Sequence, residues 1–398
     1  MSSVASVLPG SSEARRAGLR SGPLENYANR VAPAGQSAVP AADWRAERWA
    51  ARGALWEFST LDRVRKCGRV TRTADGSVQV RANGSSVGFG GLCTCGSWWA
   101  CPVCNAKISA TRRLEVGTAL AWAVHSGGAA FGAYTLRHHQ GTDADALWRG
   151  LSKCWEAVAR DKTVRNVRTS LGLVGTVRAA EVVVGDNGPH PHLHPVHLFE
   201  RPVSDDGAGV LHEAQFGAWS RAADRLGFEP VSERAQHLHV VGVGRGLDDL
   251  GEYFTKATYR PAAESVGWEM ASPQTKSRTR AKGAAPFELL GEFHRNGDVD
   301  ALDDWRAYER YSKGKRALTW TKGLRSRVGL DVEAADEDLA DAEVGTREDC
   351  GLVVTDWSPV VASRGRLGAG LLSAVGPAGN WDEGRRYCDA NGIEWRNA

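Results

Sequence analysis

The sequence predicts an α+β protein in which an antiparallel or mixed β-sheet has helices packed on one face. Two observations lead to this fold class: strand patterns alternate with helical periodicities from residue 131 to residue 259, and a cysteine-rich segment precedes them. The predicted elements are, in order, strand 131–138, helix 143–160, hairpin 173–199, helix 211–227, strand 236–243 and helix 247–259.

Composition limits the classes of protein to which the chain can belong. Its 398 residues are 42% hydrophobic, which suffices for two or three globular domains. No apolar run reaches the roughly 20 residues that span a bilayer, and the first residues lack the pattern of a signal peptide. We therefore expect a cytoplasmic protein with no membrane partner.

Charge is distributed unevenly along the chain. The net charge is +3, yet residues 331–349 carry nine acidic side chains and one basic side chain, so the remainder has a net charge of +11. Such an excess indicates a polyanionic partner such as DNA. A solvated basic surface is the alternative explanation.

Composition and motifs together divide the chain into six segments. We predict a disordered N-terminal tail, a zinc-ribbon-like cysteine-rich element, a catalytic sheet domain, a basic helical region, an acidic linker and a C-terminal segment of unassigned purpose. Their respective bounds are 1–45, 46–124, 125–265, 266–330, 331–349 and 350–398.

Five of the eight cysteines lie between Cys67 and Cys104. Cys101 and Cys104 form a C-x2-C knuckle, Cys95 precedes it, and Cys67 reaches it across a hairpin predicted for residues 68–92. Cys93 is the alternative fourth ligand. Because nothing marks secretion, we expect four thiolates that bind structural Zn²⁺ rather than disulfides.

Four of the eleven histidines lie within the eight residues His190–His197. In a strand, side chains two positions apart share a face, so His190, His192 and His194 would point the same way. Two imidazoles on one face can bind one divalent metal. The alternative is a polar loop without a metal.

A carboxylate is expected beside this histidine row. The sequence Asp186-Asn187-Gly188 predicts the turn of the hairpin, and we expect Glu181 to lie opposite His194 and on the same face. Pro191 and Pro195 lack backbone donors, so they favour an edge strand.

The predicted helix 247–259 carries a phenol, an amine and a carboxylate on one side. At 3.6 residues per turn, Asp249, Tyr253 and Lys256 share a face because they stand at positions i, i+4 and i+7. Asp249 near the helix start also suits capping and the helix dipole, so a chemical role and a structural role both remain open.

The order of these motifs resembles that of the plasmid rolling-circle replication initiators, the Rep proteins of the HUH endonuclease superfamily, and especially those of actinobacteria. The matching motifs are Tyr134-Thr-Leu-Arg-His138, His192-Leu-His194, Tyr253-Phe-Thr-Lys256 and the cysteine segment 95–104. The resemblance covers about residues 67–327 and implies an HUH-type sheet fold.

The resemblance also implies a chemistry. His192, His194 and Glu181 would bind Mg²⁺ or Mn²⁺, and Tyr253 would be the nucleophile that nicks DNA, forms a 5′-phosphotyrosine and leaves a 3′-OH primer. Lys256 would favour the phenolate of Tyr253. Asp249, or alternatively the neighbouring Glu252, would act as a general base.

Basic residues near aromatic ones are candidates for contact with single-stranded or distorted DNA. They are Arg137, Lys276, Arg278, Arg280, Lys315 and Arg316. A solvated amphipathic helix is the alternative for the later ones, and Lys107, Arg112 and Arg113 on the helix after the knuckle could bind DNA or simply pack.

The expected partner is the plasmid replication origin, and recruitment of a host helicase is left open. A related nickase of a mobile element and a nonenzymatic zinc-ribbon DNA-binding protein are the two alternative functions. The sequence His237-Leu-His239 is assigned to packing or to support of the metal ligands.

Overall fold

The computed structural model describes residues 41–139, 141–241 and 284–398. The strands in these ranges are β1 (Val78–Ala82), β2 (Val87–Gly90), β3 (Gly128–Thr135), β4 (Leu173–Gly185), β5 (Gly188–Phe199), β6 (His237–Val241), β7 (Leu318–Trp320), β8 (Cys350–Val354) and β9 (Trp395–Arg396). Within the same ranges, no helix is both long enough and apolar enough to cross a membrane.

Thirteen α-helices belong to the described part of the chain. They are α1 (Ala41–Phe58), α2 (Asp62–Lys66), α3 (Pro102–Ser126), α4 (Ala144–Arg160), α5 (Lys162–Leu171), α6 (Asp205–Arg225), α7 (Pro286–Asn296), α8 (Val299–Ser312), α9 (Leu324–Arg327), α10 (Asp336–Asp341), α11 (Ser358–Ala362), α12 (Arg366–Val375) and α13 (Trp381–Ala390).

The larger sheet has the strand order β6-β3-β5-β4-β7, and each neighbouring pair is antiparallel. The predicted α+β fold class is therefore confirmed. Helix α5 was not predicted, because it follows α4 with only Asp161 between them. The carboxylate of Asp161 accepts a hydrogen bond from the backbone N–H of Val164 and so starts a second helix.

The hairpin of β4 and β5 forms the centre of this sheet. Its turn consists of two residues between Gly185 and Gly188, as the Asp-Asn-Gly sequence predicts. Gly188 has a φ of +86°, a backbone conformation that glycine adopts without steric cost. Eleven residue pairs, from Gly175 with Leu198 to Gly185 with Gly188, share one register, and an irregularity shifts the register before Leu173 pairs with Phe199. The shared register fixes the face to which each side chain of these pairs points.

Strand β5 lies between β3 and β4, so the prediction of an edge strand was wrong. The prolines are tolerated because their missing N–H groups fall where β3 supplies no paired residue. The pairing of β3 with β5 skips the position opposite Pro195, and β3 ends at Thr135 before it reaches Pro191. The Thr135 hydroxyl instead donates to the Pro191 carbonyl at 3.0 Å.

Helices cover both faces of the larger sheet, and not only one face as predicted. On the first face, Tyr134 and Leu193 pack with Leu151 of α4 and Trp219 of α6. On the second face, apolar residues of α3 pack on the sheet residues Phe131, Val177 and Val196. The residues of α3 in this contact are Val116, Ala119, Leu120 and Ala123.

A smaller sheet pairs strands β1 and β2 of the cysteine-rich element with strands β8 and β9 of the C-terminal segment. Its order is β2-β1-β8-β9, and all its pairs are antiparallel. A lone hairpin of β1 and β2 could not bury its apolar face, and Val80 is buried here with Leu352, Val354 and Leu371 from the C-terminal segment. The segment 350–398 therefore completes the core beside the cysteine-rich element.

The acidic stretch 331–349 is docked rather than free. Its helix α10 packs on α3, and the guanidinium of the buried Arg112 contacts Asp336 at 2.8 Å. Nearer the small sheet, Arg72 contacts Asp341 at 2.8 Å. The stretch thus neutralises basic side chains that the charge pattern had suggested as free for a polyanion.

A buried polar chain links the larger sheet to α6. The Gln215 amide accepts from the Tyr134 hydroxyl at 2.7 Å and donates to Nε2 of His197 at 3.0 Å. Nδ1 of His197 lies 2.8 Å from the hydroxyl of Thr176. Burial, with the positive charge of Arg168, lowers the pKa of His197 to about 3, so the imidazole is neutral in the folded protein.

This neutral histidine predicts a pH dependence of stability. In the unfolded chain this histidine binds a proton with a pKa of about 6.5, which is above its pKa in the folded protein. The free energy of unfolding therefore decreases as the pH falls below about 6.5. Between pH 6.5 and pH 5 we expect a loss of about 2 kcal/mol from this group, which urea unfolding at several pH values would measure. The His197→Gln variant should lose this part of the slope, and the exposed His125→Gln variant should keep it; equal slopes in all three proteins would contradict the prediction.

Candidate functional site

The alternating histidines of β5 form a row on the second face of the larger sheet, as predicted. The ring centroids of His190 and His192 are 4.4 Å apart, and those of His192 and His194 are 6.3 Å apart. Helix α3 covers the same face only further along the strands, around Val196 and Leu198. The row lies toward the hairpin turn, beyond that helix.

Glu181 stands on the same face, but the predicted register was wrong. With the two-residue turn it pairs with His192, and His194 pairs with Ala179. A shift of two residues keeps Glu181 on the predicted face, because side chains alternate with a period of two. Its carboxylate still reaches His194 diagonally and lies 2.8 Å from Nε2 of that ring.

The side chains of Glu181 and His194 are almost completely buried. Glu181 is 2% exposed and His194 is 8% exposed, and the imidazole stacks on Phe131 with 5.7 Å between ring centroids. Nδ1 of His194 is buried and has no hydrogen-bond partner among the described residues. A buried polar atom in this condition favours a ligand, such as a cation, on that side of the ring.

His190 is engaged differently from the other two histidines of the row. Its Nε2 lies 2.7 Å from the Thr135 hydroxyl and 2.9 Å from the Leu136 carbonyl, and its ring stacks on His138. Burial, followed by the charge of His138, lowers the pKa of His190 to about 4. His190 therefore ties the hairpin to the end of β3, which leaves His192 and His194 as the candidate ligand pair.

A second histidine pair shares this face. His237 and His239 of β6 stand opposite Ala133 and Phe131 of β3, and burial with the charges of His239 and His194 lowers the pKa of His237 to about 4. The alternation in the predicted strand 236–243 indicates that His237 and His239 share a face. Its face could not be assigned from the sequence because the pairing of β6 with β3 was not predicted.

Two imidazoles and a carboxylate fit a divalent cation with open positions, such as Mn²⁺ or Mg²⁺. The ligand atoms of His192, His194 and Glu181 do not converge as closely as those of the cysteines. Among the described residues, the cysteine cluster is the one group of three or more potential ligands whose ligand atoms all lie within 4.8 Å of each other. Rotation of a side chain would be needed to gather the histidine and glutamate ligands around one ion.

The cysteine cluster consists of Cys67, Cys95, Cys101 and Cys104 and could hold a metal such as zinc. Sulfur atoms are 3.5 to 3.7 Å apart in the three close pairs. Tetrahedral zinc with Zn–S bonds of about 2.3 Å requires sulfurs about 3.8 Å apart, so the geometry fits. Hydrogen bonds from the neighbouring thiols hold the pKa of Cys104 well below its ordinary value, which favours a thiolate.

The structure decides which cysteine completes this cluster. Cys67 contributes its sulfur, whereas Cys93 is held through its backbone, which accepts from Gly68 and donates to Val70. The hairpin of β1 and β2 brings Cys67 back to the knuckle, as predicted.

The predicted catalytic helix lies outside the described residues. This applies to Tyr253, Lys256 and Asp249, to the alternative base Glu252, and to the basic residues Lys276, Arg278 and Arg280.

The described basic candidates differ from one another. Arg137 and Arg316 are exposed, whereas Lys315 is largely buried, forms an ion pair with Asp145 at 2.8 Å and lies over the ring of Tyr311. Its position is that of a structural cation.

Most aromatic residues near these cations belong to the core. Trp305 and Tyr308 of α8 stand among the basic residues that follow residue 304, but both side chains are fully buried and Trp305 packs against Phe287 of α7, so neither can stack on bases. Trp98 and Trp99 are also buried, as are Arg112 and Arg113. For the helix after the knuckle, packing is thus the correct alternative.

The fold and the cluster define the class as an α+β protein with an antiparallel central sheet and a buried four-cysteine cluster. The chain is 30% identical over 371 residues to "Protein rep" of Streptomyces lividans, across 76% of this chain and 79% of the relative. It belongs to the family of actinobacterial plasmid Rep proteins.

A second relative matches a shorter region. The "Neomycin resistance protein" of Streptomyces cyanogenus is 32% identical over 143 residues, which is 29% of this chain and 32% of the relative. No family model matches the chain, and no solved structure matches it.

Proposed function

We propose that this protein initiates plasmid replication by cutting one DNA strand at a specific site and rejoining it through a 5′-phosphotyrosine. The observation that carries this proposal is the pair His192 and His194 beside the buried carboxylate of Glu181, in a chain of the plasmid Rep family. Replication would then start from the 3′-OH that the cut releases.

His192, His194 and Glu181 would hold the catalytic Mg²⁺ or Mn²⁺. A bound divalent cation neutralises the anionic oxygens of the scissile phosphate and stabilises the charge that develops on them. The contact between Glu181 and His194 keeps the carboxylate and that imidazole together on one face of the sheet, from which rotation of a side chain would bring both to the ion.

Tyr253 would attack the phosphorus with its phenolic oxygen. The new bond joins that oxygen to phosphorus, the bond from phosphorus to the 3′ oxygen breaks, and the 3′ oxygen leaves with the electron pair and takes up a proton. The phenol must lose its proton, and the ammonium of Lys256 favours the phenolate. Asp249, with Glu252 as the alternative, would remove the proton from the 3′-OH that later reverses the reaction.

The described residues on either side of 242–283 both belong to the larger sheet. Before the segment, Val241 pairs with Ala129 and belongs to the apolar cluster on the same face. After it, Ala284 pairs with Val184, three residues from Glu181. The chain thus leaves from and returns to the sheet that carries the histidine row.

Zn²⁺ in the cysteine cluster would have a structural part, because four sulfurs leave no open position for a substrate. The partner would be plasmid DNA in the cytoplasm, which would be cut where it is single-stranded. The exposed Arg137 directly follows β3 and lies near His190 of the histidine row, where it could contact that DNA. Recruitment of a host helicase stays a prediction.

The test uses supercoiled DNA of the replicon that encodes the protein, incubated with Mg²⁺ or Mn²⁺. We expect nicked circles and protein bound to 5′ ends for the natural sequence, and neither product for Tyr253→Phe, because phenylalanine lacks the attacking oxygen. Tyr259, at the end of the same predicted helix, lies six positions from Tyr253 and therefore off its face, so Tyr259→Phe is the matched control and should remain active. An adduct that survives in Tyr253→Phe would move the nucleophile elsewhere, and an absence of nicking with every metal would favour a nonenzymatic DNA-binding protein.

A further inference from the structure

A cavity of about 110 Å³ lies beside the cysteine cluster, at the junction of α1, the knuckle and the acidic stretch. Arg45, Arg48 and Arg52 of α1 all line it. Their spacing of three and four residues puts them on one side of the helix. Three guanidinium groups therefore line one small space, which lies outside the proposed nicking site and borders Cys67 and Cys104 of the cysteine cluster.

Arg52 is the most unusual of the three because it is only 3% exposed. Its guanidinium carbon lies 3.7 Å from the ring centroid of Trp49, and its other side lies against Gly68, where a Cβ would collide with it. Nε and Nη2 of Arg52 are buried and have no hydrogen-bond partner among the described residues. An unpaired buried cation of this kind costs several kcal/mol.

The acidic side chains of the cavity are already engaged. Asp341 and Glu343 also line it, but Asp341 binds Arg72 at 2.8 Å and Glu343 binds Arg81 at 2.9 Å. Within the described part of the chain, neither acid forms an ion pair with Arg52. The charge that would balance Arg52 must then come from a ligand or from the thiolates of the cluster.

Arg48 lies in a positively charged and partly desolvated part of the same cavity. Burial, followed by the positive charge of Arg45, lowers the pKa of Arg48 to about 10. Arg48 and Arg45 are partly exposed, so the wall that they form extends to solvent. A negative charge placed between these cations would relieve both the mutual repulsion and the desolvation.

We propose that this cavity binds a phosphate group, held by Arg52 and Arg48. The planar guanidinium matches the oxygens of phosphate in a bidentate arrangement, and the stacking on Trp49 fixes its plane. The volume admits a group of phosphate size, since one water occupies about 30 Å³. The phosphate can come from the backbone of DNA or from a free anion.

The first arm of the test measures the affinity for labelled DNA by fluorescence anisotropy at several salt concentrations, with no divalent metal present. Loss of one phosphate contact in Arg48→Gln or Arg52→Met should weaken binding roughly tenfold and reduce the slope of log affinity against log salt by about 0.9. The control Arg386→Gln removes an equal charge from α13 and should leave the slope unchanged. Because no strand is cut in this assay, its outcome is independent of the proposed nicking.

The second arm compares the melting temperature in phosphate and in chloride at equal ionic strength. A phosphate-specific increase for the natural sequence that is lost in Arg48→Gln supports the cavity as a phosphate site. If only this arm responds, the source is a free anion; if the DNA slope responds, the source is the DNA backbone. If neither arm responds, the proposal is overturned. The positive charge of Arg52 would then balance the thiolates of the cysteine cluster, and a lowered zinc content of Arg52→Met would indicate this role. Arg48 is only partly buried, so its variant keeps the test valid even if Arg52→Met does not fold.

Discussion

Replacement of Glu181 by glutamine is expected to lower the rate of plasmid nicking about 100- to 1,000-fold, which corresponds to the several kcal/mol of charge stabilisation that a catalytic metal supplies. The amide has nearly the same shape as the carboxylate but lacks its negative charge, so both metal binding and the contact with His194 weaken. The measurement is the initial nicking rate as a function of Mn²⁺ concentration.

The design separates metal binding from folding and from DNA binding. Glu200→Gln removes a carboxylate directly after β5, on an exposed side chain that contacts Arg327, and should nick at the natural rate. Affinity for DNA without metal should be equal in both variants. A Glu181→Gln protein that nicks at the natural rate at every Mn²⁺ concentration would exclude Glu181 as a ligand.

The second large effect is expected at the cysteine cluster. Cys101 is fully buried between the other three sulfurs, so Cys101→Ser removes one ligand where no water can replace it. Structural zinc contributes about 10–16 kcal/mol of binding free energy in isolated zinc-finger peptides. Even a part of that value would lower the melting temperature by about 10 °C or more, and bound zinc should fall well below one per chain.

Cys93→Ser is the matched control for this prediction. Cys93 belongs to the same segment but lies outside the cluster, so its variant should retain one zinc per chain and the natural melting temperature. Zinc content by atomic emission and unfolding by calorimetry would give both readouts. If zinc is lost equally from both variants, Cys93 rather than Cys67 is the fourth ligand.

Local patterns in the sequence were sufficient for much of the fold. The alternation along His190–Phe199 predicted which side chains share a face, and the Asp-Asn-Gly turn predicted the hairpin. The C-x2-C spacing predicted the knuckle of Cys101 and Cys104, whereas the choice between Cys67 and Cys93 stayed open until the structure placed Cys67 in the cluster. Each of these features depends on residues close together in the chain, where periodicity and turn chemistry determine the geometry.

Features that depend on distant partners could not be predicted. The prolines of β5 indicated an edge strand because they lack backbone donors. The interruption in the pairing of β5 with β3, which accommodates them, depends on a distant strand and could not be predicted from the sequence. The burial of Trp305 against α7 could not be predicted from its neighbours in the sequence. Arg52 gave no signal at all, since a lone arginine in a helix becomes unusual only when Trp49 and Gly68 enclose it.

The small sheet can form only late in translation. Strand β1 must pair with β8, which is translated about 270 residues later, so at 5–20 residues per second the ribosome needs roughly 14 to 54 s to supply the partner. During that interval the apolar face of β1 and β2 lacks its cover. A nascent or truncated chain without β8 therefore cannot complete the unit that contains the arginine cavity.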